Sequence, residues 1–121
     1  MSCRYDVYLA LPEVAWQALK AKAIALAREA NLVIPPHTLM DHVDDVRSFD
    51  MDGEDWIMVH WQGIWWGSQY QDVALIEQYL DNQDVAFDFV IIGDEIDRYD
   101  QRCQNINYRV FSLRPSVDVL I

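Results

Sequence analysis

Apolar and polar residues alternate loosely over residues 5–11, Tyr-Asp-Val-Tyr-Leu-Ala-Leu, which predicts a first strand. From Glu13 to Ala30 the period lengthens. Trp16, Leu19, Ala23, Leu26 and Ala30 fall three and four residues apart, the stripe of an amphipathic helix. Pro12 suits the start of that helix, where a missing N–H costs nothing, and Asn31 suits its end. Residues 46–51 and 55–62 read as two strands around Asp52-Gly53-Glu54-Asp55, a hairpin signal. Along the second, Ile57, Val59 and Trp61 face one side, with Trp56, Met58, His60 and Gln62 on the other. A second helix is predicted over 70–82, with Ser68 and Gln71 at capping-box spacing, Asp72 in the first turn, and Val73, Ile76 and Leu80 buried. Ala86 to Ile92 is a nearly continuous apolar strand. Residues 107–113 and 116–121 predict a β extension, with Pro115 marking an edge.

The order β-α-β-β-α-β plus extension predicts an α+β fold, ferredoxin-like, with an antiparallel sheet covered on one face by two helices. A chain of 121 residues with 52% hydrophobic residues makes one domain, residues 1–121. At that length roughly 65–70% of the unfolded surface can be buried. No apolar run approaches the roughly 20 residues that span a bilayer, and Asp6 interrupts any secretory signal. Cys3 and Cys103 are too few for a disulfide scaffold, so reduced thiols in a bacterial cytoplasm are expected. Whether the two pair is left open.

Charge changes the picture more than composition does. The net charge is −11, and residues 41–100 hold sixteen of the twenty acids against only Arg47 and Arg98. Fifteen of the twenty are Asp, which has one fewer rotor than Glu and fixes its charge closer to the backbone. Direct binding of nucleic acid or of an anionic membrane is disfavoured, since both would be repelled.

Catalytic motifs are sparse. The four glycines stand singly, so there is no phosphate loop, and no serine lies in a nucleophile elbow. His37 and His42, within HTLMDHVDD, read as ordinary loop histidines without defined metal-ligand spacing, and His60 as a packed strand residue. No catalytic residue, metal or cofactor is expected. The acids of IIGDEIDRYD, residues 91–100, follow a buried strand, so a divalent-metal hydrolase built on Asp88, Asp94 and Asp97 is retained as an alternative. Four tryptophans lie within residues 56–66; Trp61 and Trp65 read as core, whereas Trp56 and Trp66 read as exposed partner anchors.

Together the Trp-rich strand, the helix VxxIxxYL and the stretch FDFVIIGDEIDRYD resemble a motif of small bacteriophage and prophage proteins. The resemblance spans Trp56 to Asp100. Asp94-Glu95 stand where that motif has Glu-Asp, and Arg98-Tyr99 interrupt its acidic run. The resemblance implies a phage setting and no activity. By class analogy it points to anti-CRISPR and DNA-mimic inhibitors. The expectation is therefore a cytoplasmic acidic inhibitor, not an enzyme, that occupies a basic, nucleic-acid-binding surface of a bacterial protein. Asp44, Asp45, Asp50, Asp52, Asp94, Glu95, Asp97 and Asp100 would form its charged face, with Trp56 or Trp66 as anchor. An immunity protein against a basic toxin nuclease would look the same, a structural virion or self-assembling protein is a third alternative, and a homodimer stays open.

Overall fold

The computed structural model describes residues 4–29, 39, 43–67, 71–93, 99–106, 108–113 and 117–120. Its elements are β1 (Arg4–Pro12), α1 (Glu13–Glu29), β2 (Asp45–Met51), β3 (Glu54–Trp65), α2 (Gln71–Leu80), β4 (Phe87–Gly93), β5 (Tyr99–Gln104), β6 (Phe111–Leu113) and β7 (Val117–Val119). The fold is α+β. The first five strands form one sheet in the order β2-β3-β1-β4-β5, with every neighbouring pair antiparallel. β6 and β7 pair separately.

One sheet face presents Val7, Leu9, Leu11, Ile57, Val59, Trp61, Phe87, Phe89 and Ile91, the alternate residues of β1, β3 and β4. Both helices pack on it through Trp16, Leu19 and Ala23 of α1 and Ile76 and Leu80 of α2. An aromatic chain runs through this layer: Trp16 to Trp61, Trp61 to Trp66 and Trp66 to Phe89, with ring centroids 6.1, 6.2 and 5.9 Å apart. These are the tilted arrangements that ring quadrupoles favour. Leu39 ties the layer together. Its carbonyl accepts from Trp61 Nε1 at 2.7 Å, and its N–H donates to Asp72 in the first turn of α2 at 3.0 Å. A carboxylate there also complements the helix dipole.

The opposite face is apolar too, with Ala10, Trp56, Met58 and Val90 buried. The C-terminal extension covers it through Val110, Phe111, Val117 and Val119. Asp88 fixes that cover. It points from β4 into this second layer and is completely buried. One of its oxygens accepts from the backbone N–H groups of Val110 and Phe111, at 2.8 and 3.2 Å, and from Arg109 Nε at 3.0 Å. The other accepts from Arg109 Nη2 at 2.6 Å. The hydrogen bond to Asp88 also holds the Arg109 guanidinium pKa above its ordinary value.

Two expectations are corrected here. Trp56 is only 2% exposed, packed on Phe49 with ring centroids 6.0 Å apart, because its face is covered rather than solvated. It is no partner anchor. Residues 99–104, for which no element was expected, form the edge strand β5, whose register on β4 runs from Phe87↔Gln104 to Ile92↔Tyr99. The extension strands are also shorter than expected, at three residues each. No helix among the described residues is long and apolar enough to cross a membrane.

Replacing Asp88 by Ala would leave the buried N–H groups of Val110 and Phe111 without their acceptor and take the ion-pair partner from Arg109, whose side chain is 36% exposed. A buried donor left unsatisfied costs about 1–3 kcal/mol, so Asp88→Ala, which orphans two, should lose about 2–6 kcal/mol of unfolding free energy in urea titration. Asp88→Asn, which keeps acceptor lone pairs, should lose less. A loss below about 1 kcal/mol, as for an exposed ion pair, would contradict the clasp.

Candidate functional site: the acidic ends of the sheet

The expected charged face is divided between two ends of the sheet. Asp50 and Asp52 lie at the β2–β3 hairpin, whereas Asp44, Asp45 and Asp100 lie at the other end, at the start of β2 and of β5. Asp50 lies five steps along β2 from Asp45, roughly 17 Å at about 3.3 Å per strand residue. Asp94, Glu95 and Asp97 lie outside the described residues, as do His37, His42 and Cys3. Cys103 is a free, exposed thiol.

At the far end some carboxylates serve the backbone. β1 and β3 slip register between Tyr5 and Val7, so Asp6 faces an extra residue on β3. Gly63 takes that position at φ 61°, a conformation natural to glycine. Asp6 accepts from the Gly63 N–H at 2.9 Å, and Asp44 from the Gln62 N–H at 2.7 Å. Asp45 meets Arg47 Nε at 3.5 Å. On the second face nearby, Tyr8 stacks on His60 with centroids 4.0 Å apart and planes 7° from parallel. Burial first, then Asp6, pushes the Tyr8 phenol above its ordinary pKa.

The hairpin end is built differently. Met51 and Glu54 close a two-residue loop in which Asp52 and Gly53 have φ of 53° and 87°. Positive φ at both positions matches the strand twist, which is why Asp-Gly is favoured there. The Asp50 carboxylate accepts from the Gly53 N–H at 3.1 Å. The first pair beyond the closing residues is Asp50↔Asp55. Directly opposed side chains have Cβ atoms roughly 4.5–5.5 Å apart, and like charges so placed destabilise the free fold. The chain entry to α1 and the turn before β4 come to the same end: Pro12 pairs with Trp56, and Glu54, Pro12, Val14, Ala15 and Asp84 line one open cleft of about 320 Å³. Glu13, Asp50, Asp52, Glu54, Asp55 and Asp84 are all exposed there. Glu13, Glu54, Asp55 and Asp84 were not singled out from the sequence; only the topology brings them together.

A second cleft, of about 290 Å³, opens at the other end beside β5. Tyr5, Trp66, Glu77, Phe89, Tyr99 and Asp100 line it. Trp66, expected as an exposed anchor, is half-buried, and its indole N–H donates to Glu77 at 2.9 Å. Glu77 also receives Arg102 Nη2 at 2.6 Å, with Asp81 and Asp100 each 3.7 Å from the same guanidinium. Trp65, expected in the core, is 40% exposed with the Arg4 guanidinium 5.1 Å above its ring.

Among the described residues no three His, Cys, Asp or Glu side chains converge on a metal position. Of the three residues of the hydrolase alternative, Asp88 has its oxygens engaged by Arg109 and two backbone donors, and Asp94 and Asp97 lie outside the described residues. No family model, curated protein or solved structure matches the chain.

If Asp50 and Asp55 repel, Asp55→Lys should stabilise the free protein by about 0.2–1 kcal/mol at low salt. The gain should shrink as salt screens the pair. Thermal unfolding at two ionic strengths measures this. An unchanged or lowered stability at low salt would show that the opposed carboxylates carry no cost.

Proposed function

We propose that this protein is an acidic binding protein that docks on a basic, nucleic-acid-binding surface of a bacterial protein and blocks it. The Asp50↔Asp55 pair carries the proposal. Six exposed carboxylates are gathered at one end of the sheet, two of them opposed across a tight hairpin. That placement works against the free fold and becomes favourable when cations of a partner arrive. A protein imitates the phosphate backbone only by fixing carboxylates in this way, since duplex DNA carries one charge per roughly 1.7 Å of axis. Steering by such a field speeds encounter with a basic groove at low salt. The phage setting implied by the motif resemblance is part of the same proposal.

The proposal extends to the fold. β4-β1-β3-β2, the inner order of the sheet, together with both helices on one face, supports a ferredoxin-like core to which β5 adds an edge strand and β6–β7 a cover.

Affinity capture from bacterial lysate tests the function, using the parent protein and the variant Asp52→Lys/Asp55→Lys/Asp84→Lys. The parent should retain a Lys/Arg-rich nucleic-acid-binding protein in stoichiometric amount, eluted by raising salt. The folded variant should retain at least tenfold less. Equal retention by parent and variant, or recovery of nucleic acid alone, would refute the proposal.

A further inference from the structure

We infer that the cleft beside β5 receives an arginine side chain from the partner, a role that deepens the acidic-inhibitor proposal and rests on it. The chemistry of the walls specifies the ligand. Tyr5, Trp66, Phe89 and Tyr99 supply aromatic rings, and Glu77 and Asp100 supply carboxylates. Ring faces carry negative potential, so a slot with aromatic walls and acidic ends favours an organic cation over an anion or a neutral aliphatic group. A planar, weakly hydrated guanidinium suits it better than an ammonium, because it can stack on a ring and meet a carboxylate in its own plane.

The protein displays this mode with its own Arg102. That guanidinium lies 5.0 Å from the centroid of Phe89 and 2.6 Å from Glu77. One cation does not exhaust the site. Glu77, Asp81 and Asp100 surround Arg102, so these four described side chains carry a formal excess of two negative charges. Glu77 is the more committed acid, with one oxygen on Trp66 Nε1 and the other on Arg102 Nη2. Among the described residues Asp100 accepts only the adjacent Gln101 N–H within hydrogen-bond distance, and its side chain is 61% exposed. It is the carboxylate placed to meet an incoming donor. Tyr99, 64% exposed at the start of β5, supplies an apolar wall that water otherwise wets. Neither residue belongs to the buried core, so both can be altered without unfolding the protein.

The probe is Nα-acetyl-arginine amide, titrated into the 121-residue protein and followed by amide and indole N–H chemical shifts. Saturable shifts should concentrate on the Trp66 indole, Tyr99 and Gln101, and the isosteric, uncharged citrulline amide should bind at least tenfold more weakly. Asp100→Asn and Tyr99→Ala should each weaken arginine amide binding at least threefold, while Gln17→Ala, exposed on α1, leaves it unchanged. Equal shifts with citrulline amide, shifts confined to the hairpin end, or no saturable shift would overturn the cleft assignment. The two proposals fail separately. If the amide binds as described yet no basic protein is captured, the inhibitor role falls and the cation site stands. If a basic protein is captured and Asp100→Asn and Tyr99→Ala neither weaken it nor affect amide binding, the cleft falls alone.

Discussion

The completely buried carboxylate of Asp88 is the interaction on which the rest of the molecule depends. A central sheet that is apolar on both faces needs two covers. The helices provide one, carried by the chain order itself, since α1 and α2 directly follow β1 and β3. The other comes from three-residue strands too short to hold a position by themselves. Asp88 supplies the fixed point, drawing Arg109 and the N–H groups of Val110 and Phe111 onto the middle of the sheet. Phe111 then seals the layer beside Tyr8, with ring centroids 5.6 Å apart. With both faces closed, surface charge is displaced to the ends and edges of the sheet, where strands turn and clefts open. The acidic ends follow from how the core is sealed.

Regular elements were legible wherever one period dominated. The helical stripes of α1 and α2 and the alternation of β3 are read directly from residue spacing, and Asp-Gly announces the hairpin by its tolerance of positive φ. Alternation on β3 sorts Trp61 from Trp56 correctly by face. It does not say that both faces are covered, and exposure assigned to Trp56 failed for that reason. β5 was missed because YDQRCQ has no apolar alternation; as an edge strand it is held by its ladder to β4. A signal for the second cover was nevertheless present. Asp88 stands alone within Phe-Asp-Phe-Val-Ile-Ile, and a carboxylate in a buried run requires a partner. Arg109, 21 residues on, was that partner, and nothing in the local pattern identified it.

The candidate site was legible in kind but not in place. Crowding of Asp in the middle of the chain pointed to an acidic surface. Sequence distance, however, groups Asp44 with Asp50, whereas the strand between them carries the two to opposite ends. Conversely, Glu13, Asp55 and Asp84 are far apart in the chain and meet at one end. Carboxylates at the far end are partly spent on backbone N–H groups of a bulge, as Asp6 and Asp44 show. At the hairpin end Asp50, which also accepts from the Gly53 N–H, stands opposite Asp55, and like charges so placed destabilise the free fold.

Competition measures the central claim most directly. The captured basic protein is loaded with a fluorescent nucleic acid, and this protein is added in increments while anisotropy reports release. Occupation of the nucleic-acid-binding surface predicts linear displacement complete near one equivalent, with no species carrying all three components. A ternary complex that retains the nucleic acid at saturation would contradict it.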